Sequence, residues 1–104
     1  MNPKRLKQSV IDIVKLIPKE KVMYFGQIAN KIGTSPRTVG WIMSGLSQEE
    51  CDSIPWYRVV AKDGYISSVK MGLKGQAQKQ LLLTEKYLVI DDHVDMDKHL
   101  FFEN

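Results

Sequence analysis

The stretch Gln27-Ile28-Ala29-Asn30-Lys31-Ile32-Gly33-Thr34-Ser35-Pro36-Arg37-Thr38-Val39-Gly40-Trp41-Ile42-Met43-Ser44-Gly45-Leu46 decides the fold. Its first six residues read as a short helix, and Gly33 stands where a left-handed C-terminal cap belongs. Ser35 suits an N-cap and Pro36 a first helical position, because proline has no amide proton to lose there. A second helix over 37–46 then has Val39, Ile42, Met43 and Leu46 as its inner face. Two short helices joined by a glycine-containing turn form a helix-turn-helix. Gly40 and Gly45 each weaken the second helix by up to ~1 kcal/mol relative to alanine. Their presence implies that another helix or a ligand comes close to its backbone.

Upstream, Asn2-Pro3 is an N-cap and first-turn pair, and Leu6, Val10, Ile13, Val14 and Ile17 recur at helical spacing. That predicts an amphipathic helix over 3–16, ended by Pro18. Val22-Met23-Tyr24 reads as short and extended. Downstream, residues 47–53 read as a polar loop. Arg58 to Ala61, the Asp63-Gly64 turn and Tyr65-Ile66-Ser67 read as a β-hairpin, which after a helix-turn-helix is a wing. A further helix over 72–87 buries Leu73, Ala77 and Leu81, with Leu82 beside them, and Tyr87 to Ile90 packs back on the domain. The expected fold is α+β: a winged helix-turn-helix-like helical domain with a small β-hairpin over residues 1–90, then an acidic tail over 91–104 in which Leu100, Phe101 and Phe102 can dock.

The 104 residues are 43% hydrophobic and 26% charged, which excludes chain-long disorder and a coiled-coil rod. No apolar run approaches the ~20 residues of a membrane span, and no apolar segment follows Lys4, Arg5 and Lys7 as in a signal peptide. The expected location is cytoplasmic, nucleoid-associated in a bacterium. A single cysteine, Cys51, excludes an internal disulfide framework and a cysteine-rich zinc site. His93 and His99 lie among Asp91, Asp92, Asp95 and Asp97 without a zinc or calcium spacing, so they read as solvated and no metal is expected. Residues 1–84 hold 13 basic and 6 acidic residues, a balance of +7, whereas residues 85–104 hold 2 and 6, a balance of −4. A basic body suits a polyanion such as nucleic acid; solvated surface lysines would look the same by count.

Four pieces, in order and spacing, resemble the C-terminal domain of O6-methylguanine-DNA methyltransferases and, within that superfamily, the alkyltransferase-like proteins. They are Ile17-Pro18-Lys19-Glu20-Lys21-Val22 with Gly26-Gln27-Ile28-Ala29; Ser35-Pro36-Arg37-Thr38-Val39-Gly40; Ile54-Pro55-Trp56-Tyr57-Arg58-Val59-Val60; and Asp63-Gly64 with Gly72-Leu73. The methyltransferases have Pro-Cys-His-Arg where this chain has Pro55-Trp56-Tyr57-Arg58. Accepting an alkyl group needs a polarizable thiolate, and an indole N–H is only a donor. The resemblance therefore implies no enzyme activity and no cofactor. It implies a sensor that flips O6-alkylguanine out of duplex DNA and hands it to nucleotide excision repair proteins, working as a monomer.

The resemblance also assigns residues. Arg37 matches the finger that fills the place of the flipped base, with Ser35, Thr38, Gly40 and Lys70 as further DNA contacts. Trp56, Tyr57 and Pro55 line the lesion pocket together with Tyr24 and Phe25. The family tyrosine that turns the target phosphate aligns with Phe25, which lacks the hydroxyl, so Tyr24 is the alternative. Arg58 matches a structural arginine bridging loop and helix, and Glu85 a glutamate left structural without the histidine it serves elsewhere. Lys62 and Lys74, like Lys70, read as phosphate contacts or solvated lysines, and Trp41 as a hydrophobic anchor or a DNA-facing ring. Cys51 reads as an incidental loop thiol. The alternative function is a winged-helix transcription regulator without lesion specificity, which has no need of the 54–58 motif. Alkyl transfer to Cys51 or Tyr57 is a third; a phenol with a pKa near ~10 is a poor nucleophile at neutral pH.

Overall fold

Asn2 accepts the Arg5 amide at 2.9 Å and Pro3 takes the first turn, so α1 runs Pro3–Lys15 as its sequence dictates. The computed structural model describes residues 2–66 and 73–102. After α1 come β1 (Met23–Tyr24), α2 (Phe25–Ile32), α3 (Pro36–Ser44), α4 (Gln48–Ser53), a 3-10 turn at Trp56–Arg58, β2 (Val59–Val60), α5 (Leu73–Thr84), β3 (Val89–Ile90), β4 (His93–Val94) and α6 (Met96–His99). The helix-turn-helix forms as expected. Gly33 is left-handed at φ 74° and caps α2, and the Ser35 hydroxyl accepts the Thr38 amide at 3.1 Å to open α3.

β1 and β2 pair in parallel, Met23 with Val59 and Tyr24 with Val60. The two-residue period of a strand sends neighbours to opposite faces. Met23 and Val59 join the helical core of Val10, Val14, Ile17, Ile28, Ala29, Val39, Met43 and Leu46. Val22 and Val60 join a second core with Ile66, Leu82, Tyr87 and Val94. The strand pair thus holds the helix-turn-helix on one side and the C-terminal elements on the other.

Several expectations are corrected. Residues 47–53 are not a loop: α4 is opened by a reciprocal capping box, Glu50 N–H to Ser47 Oγ at 3.1 Å and Ser47 N–H to Glu50 Oε1 at 2.8 Å. Cys51 is a helical, buried core residue, not a loop thiol. Among the described residues the antiparallel hairpin is not the one expected at 58–67. The Asp63-Gly64 turn closes locally, but Val59–Val60 pairs with β1, and the hairpin is β3–β4, Val89 opposite Val94. Ser67 lies outside the described residues. Among the described side chains of α5, Gln78 and Leu82 are buried while Ala77 and Leu81 are exposed, and the Leu73 side chain lies outside the described ones.

The segment after residue 90 packs on the body. The division at 90 falls between the strands of the hairpin, Phe101 N–H donates to Val22 C=O at 2.8 Å, and Gln27 Nε2 donates to Phe101 C=O at 2.6 Å. His99, expected in solvent, is buried: its ring nitrogens bond the Leu88 amide at 2.9 Å and the Glu20 carbonyl at 2.7 Å. His93 is half-buried against Tyr65. Asp92 pairs with Lys79 at 2.6 Å, and Asp95 caps α6. Among the described residues no group of His, Cys, Asp and Glu could hold a metal, and no helix is long and apolar enough to cross a membrane.

Lys7 Nζ meets Glu50 Oε2 at 2.7 Å and ties α1 to α4. That hydrogen bond, with the Ser47 amide, holds the Glu50 carboxyl down at about 2, against 4.5 ordinarily. The unfolded chain therefore binds the extra proton between these values, and the contribution is complete above pH ~4.5 and lost as pH falls to ~2. Glu50→Gln is expected to flatten the loss of stability over that window, read by urea unfolding at pH 5, 3.5 and 2.5. Parallel pH profiles of variant and wild type would refute it.

Candidate nucleic-acid interface

Pro55 cannot continue a ladder, and the chain tightens after it: Trp56 N–H donates to Ile54 C=O at 2.8 Å and Arg58 N–H to Pro55 C=O at 3.0 Å. Trp56 and Tyr57 are thus on a 3-10 turn that runs into β2, and the turn aims successive side chains in different directions. Trp56 packs partly on the helical core and meets Tyr57 edge-on, centroids 6.0 Å apart and planes at 88°. Arg58 turns inward. Its Nη1 donates to Ile17 C=O at 2.9 Å at the end of α1, and its Nη2 donates to both Glu85 oxygens at 3.0 and 3.1 Å just beyond α5. The Tyr57 hydroxyl donates to Glu85 Oε2 at 2.8 Å.

This triad fixes the turn. Burial is the largest influence and opposes the Arg58 charge, but hydrogen bonding to Glu85 together with the electrostatic influence of Tyr57, Tyr87 and Glu85 leaves its pKa raised. Burial first, then donation to Glu85, push the Tyr57 phenol above its ordinary value. A phenol so held is a hydrogen-bond donor at neutral pH, not a nucleophile. From the other side, Gln78 Nε2 donates to the carbonyls of Tyr57 at 3.2 Å and Val59 at 2.8 Å. The turn leaves those carbonyls without ladder partners, which explains a buried glutamine where periodicity suggested an apolar face.

Pro55, Trp56 and Tyr57 border an open cleft of about 380 Å³ whose other walls are Cys51, Asp52, Ser53 and Ile54 from α4 and its exit, and Leu81 from α5. The structure brings these three candidates together. It does not bring Tyr24 or Phe25 into the cleft lining. Phe25 packs against the helical core. Tyr24 is half-buried beside Gly26, whose missing Cβ would lie 3.4 Å from the Tyr24 ring and 3.6 Å from Pro36. Tyr24 is therefore the phenol near the start of α3. Leu81 and α4 were missed because leucine at that spacing reads as core and 47–53 as loop; the Ser47-to-Glu50 spacing was the available signal for α4.

Arg37 is exposed in the first turn of α3 and makes no hydrogen bond or ion pair among the described residues. Ser35 and Thr38 are tied to each other, hydroxyl to hydroxyl, at 2.9 Å. Gly40 has open space: a Cβ there would meet nothing within 4 Å. The close approach its presence implied is therefore not made by another part of the described chain. Lys62 is exposed; Lys70 lies outside the described residues.

A helix-turn-helix whose second helix has an exposed arginine in its first turn, beside a cleft at Pro55-Trp56-Tyr57, defines a class of DNA-binding domain, and the sequence match agrees. Residues 5–87 match the model of the 6-O-methylguanine DNA methyltransferase DNA-binding domain. The chain belongs to this family. A DNA base-flipping protein of Escherichia coli (strain K12) is 39% identical over 85 residues, 79% of this chain and 62% of that protein, so the match spans less than two thirds of the relative. A methylated-DNA–protein-cysteine methyltransferase of Saccharolobus solfataricus is 42% identical over 66 residues, 64% of this chain and 42% of its own. The crystal structure of S. pombe Atl1 in complex with damaged DNA containing O6-carboxymethylguanine superimposes with a TM-score of 0.88 at 27% identity, covering 99% of this chain and 100% of that one.

Proposed function

We propose that this protein is a non-enzymatic sensor of O6-alkylguanine in duplex DNA. It flips the damaged base into the cleft at Trp56, fills the vacated place in the stack with Arg37, and leaves the lesion for nucleotide excision repair. The observation that carries this reading is the 55–58 turn itself: an indole faces the cleft where the family's acceptor thiol belongs, and Tyr57, Arg58 and Glu85 are bonded to one another rather than to a nucleophile. Cys51 borders the cleft but is buried in the helical core. Extruding a base costs a few kcal/mol, less where the pair is already weakened by an O6-alkyl group. The weak pair gives one level of selection and the aromatic cleft a second. In this reading Tyr24, half-buried beside the start of α3, takes the phosphate-turning role that Phe25, lacking a hydroxyl, cannot.

The two roles separate in mutants. On gel shifts with O6-methylguanine and undamaged duplexes, wild type is expected to prefer the lesion, and its intact mass afterwards to be unchanged. Trp56→Ala is expected to keep weak general binding but lose most of the preference, since aromatic contacts to a base are worth ~1–3 kcal/mol. Arg37→Ala is expected to weaken both complexes, the damaged one more. A methyl group gained by the protein, or a Trp56→Ala variant as selective as wild type, sinks this mechanism. Preference for a base sequence regardless of damage would mark a transcription regulator instead.

A further inference from the structure

The outer face of α3 carries more than Arg37. Trp41 follows it by one helical turn and is 74% exposed. The indole walls an apolar groove of about 350 Å³ between the start of α1 and the second half of α3, lined by Pro3, Lys7, Trp41, Ile42, Ser44 and Gly45. The charge around it is mostly basic. Residues 21–48 contain Lys21, Lys31 and Arg37 but no acidic residue, and residues 2–11 contain Lys4, Arg5 and Lys7 and none either. Lys4 and Arg5 are exposed, while the acid at the groove's edge, Glu50, is occupied by Lys7. A polyanion is the partner this setting accepts.

Helix geometry sets the reach. Four residues advance ~6 Å along the axis and return to nearly the same face, whereas stacked bases are ~3.4 Å apart. Wherever Arg37 enters a duplex, Trp41 falls within about two base steps of it. Gly40 adds no side chain between them. We propose that Trp41 and its groove form a second contact with the duplex: the indole packs on undamaged nucleotides flanking the site entered by Arg37, with Lys4 and Arg5 on the phosphates of that strand. This rests on the reading of Arg37 given above. Trp56 serves the flipped base, whereas Trp41 serves ordinary nucleotides, so it adds affinity without adding lesion preference.

The test uses the full chain with undamaged and O6-methylguanine duplexes. Trp41→Ala is expected to weaken both complexes about tenfold, within the range of a lost aromatic contact, and to leave their ratio unchanged. In a Trp56→Phe background, undamaged duplex is expected to quench Trp41 emission, a readout that needs no change at Trp41. Trp41→Gln repeats the binding assay if the alanine variant does not fold. Affinities within twofold of wild type with unquenched emission overturn the proposal. If lesion preference persists in that case, the sensor reading stands and the indole is left to a protein partner. If Trp41 matters but wild type shows no lesion preference, the duplex contact stands and the sensor reading falls.

Discussion

Glu85→Ala is expected to destabilise the domain by about 3 kcal/mol, because it strands two donors at once. Breaking a buried ion pair by removing one partner costs ~3–5 kcal/mol, since the other charge stays uncompensated. The Arg58 and Glu85 side chains are 12% and 20% exposed, which places the pair toward the lower end of that range. Arg58 keeps its bond to the Ile17 carbonyl and a long one, 3.5 Å, to the Tyr57 hydroxyl, which itself loses the oxygen it donates to. Glu85→Gln retains one acceptor oxygen and is expected to cost less than half as much. Urea unfolding at neutral pH measures both. The functional consequence differs from that of a remote destabilising change. Arg58 ties the 55–58 turn to the ends of α1 and α5, so slack in the triad lets Trp56 and Tyr57 wander from the cleft wall. At temperatures where the variant remains folded, lesion preference should fall while binding to undamaged duplex is retained. A loss under 1 kcal/mol, or full lesion preference in a folded variant, would show that the triad neither supports the domain nor sets the cleft.

The parts of the fold that local chemistry dictates were legible in the sequence. Asn2-Pro3, Gly33 and Ser35-Pro36 each act on their own helix end through one cap or one backbone conformation, and each does in the structure what its residue type predicts. Strand pairing was not legible in the same way. Asp63-Gly64 is a strong hairpin signal, yet the partner of Val59–Val60 is β1, thirty-odd residues upstream. That choice depends on which core each valine must face, not on the turn. The real hairpin turns on Asp91 and Asp92, both left-handed at φ 51° and 61°. Aspartate tolerates that conformation less well than glycine and gives a weaker signal. His99 hid in an acidic stretch because its partners, the Glu20 carbonyl and the Leu88 amide, are far away in sequence. At the site, Trp56, Tyr57 and Arg58 were found through motif resemblance. Leu81 and the α4 wall needed the packing of α4 and α5 around the 55–58 turn.

Gly64→Ala is expected to be the more damaging of two superficially equal substitutions. Gly33 and Gly64 both have positive φ, 74° and 93°. At Gly33 an added Cβ meets nothing within 4 Å, so alanine suffers only the left-handed penalty of ~1–2 kcal/mol. At Gly64 the Cβ would overlap the Val94 carbonyl oxygen and sit 3.1 Å from Met96 Cγ. The methionine can swing away, but the backbone oxygen cannot. Gly64 N–H donates to Ala61 C=O at 2.8 Å, and Gly64 C=O accepts the Val94 amide at 2.9 Å, so the turn is clamped from both ends. Relief requires the 61–66 turn to lift from β4, which also breaks Ile66 N–H to Asp92 C=O at 2.8 Å and opens the second core around Ile66 and Val94. The expected loss is about 3–4 kcal/mol, among the large effects seen for single substitutions, against about 1 kcal/mol for Gly33→Ala. Thermal or urea unfolding of the two variants side by side gives the difference directly. Equal losses would mean that the turn is not seated on β4 in solution, and that the C-terminal hairpin is held to the domain by its other contacts alone.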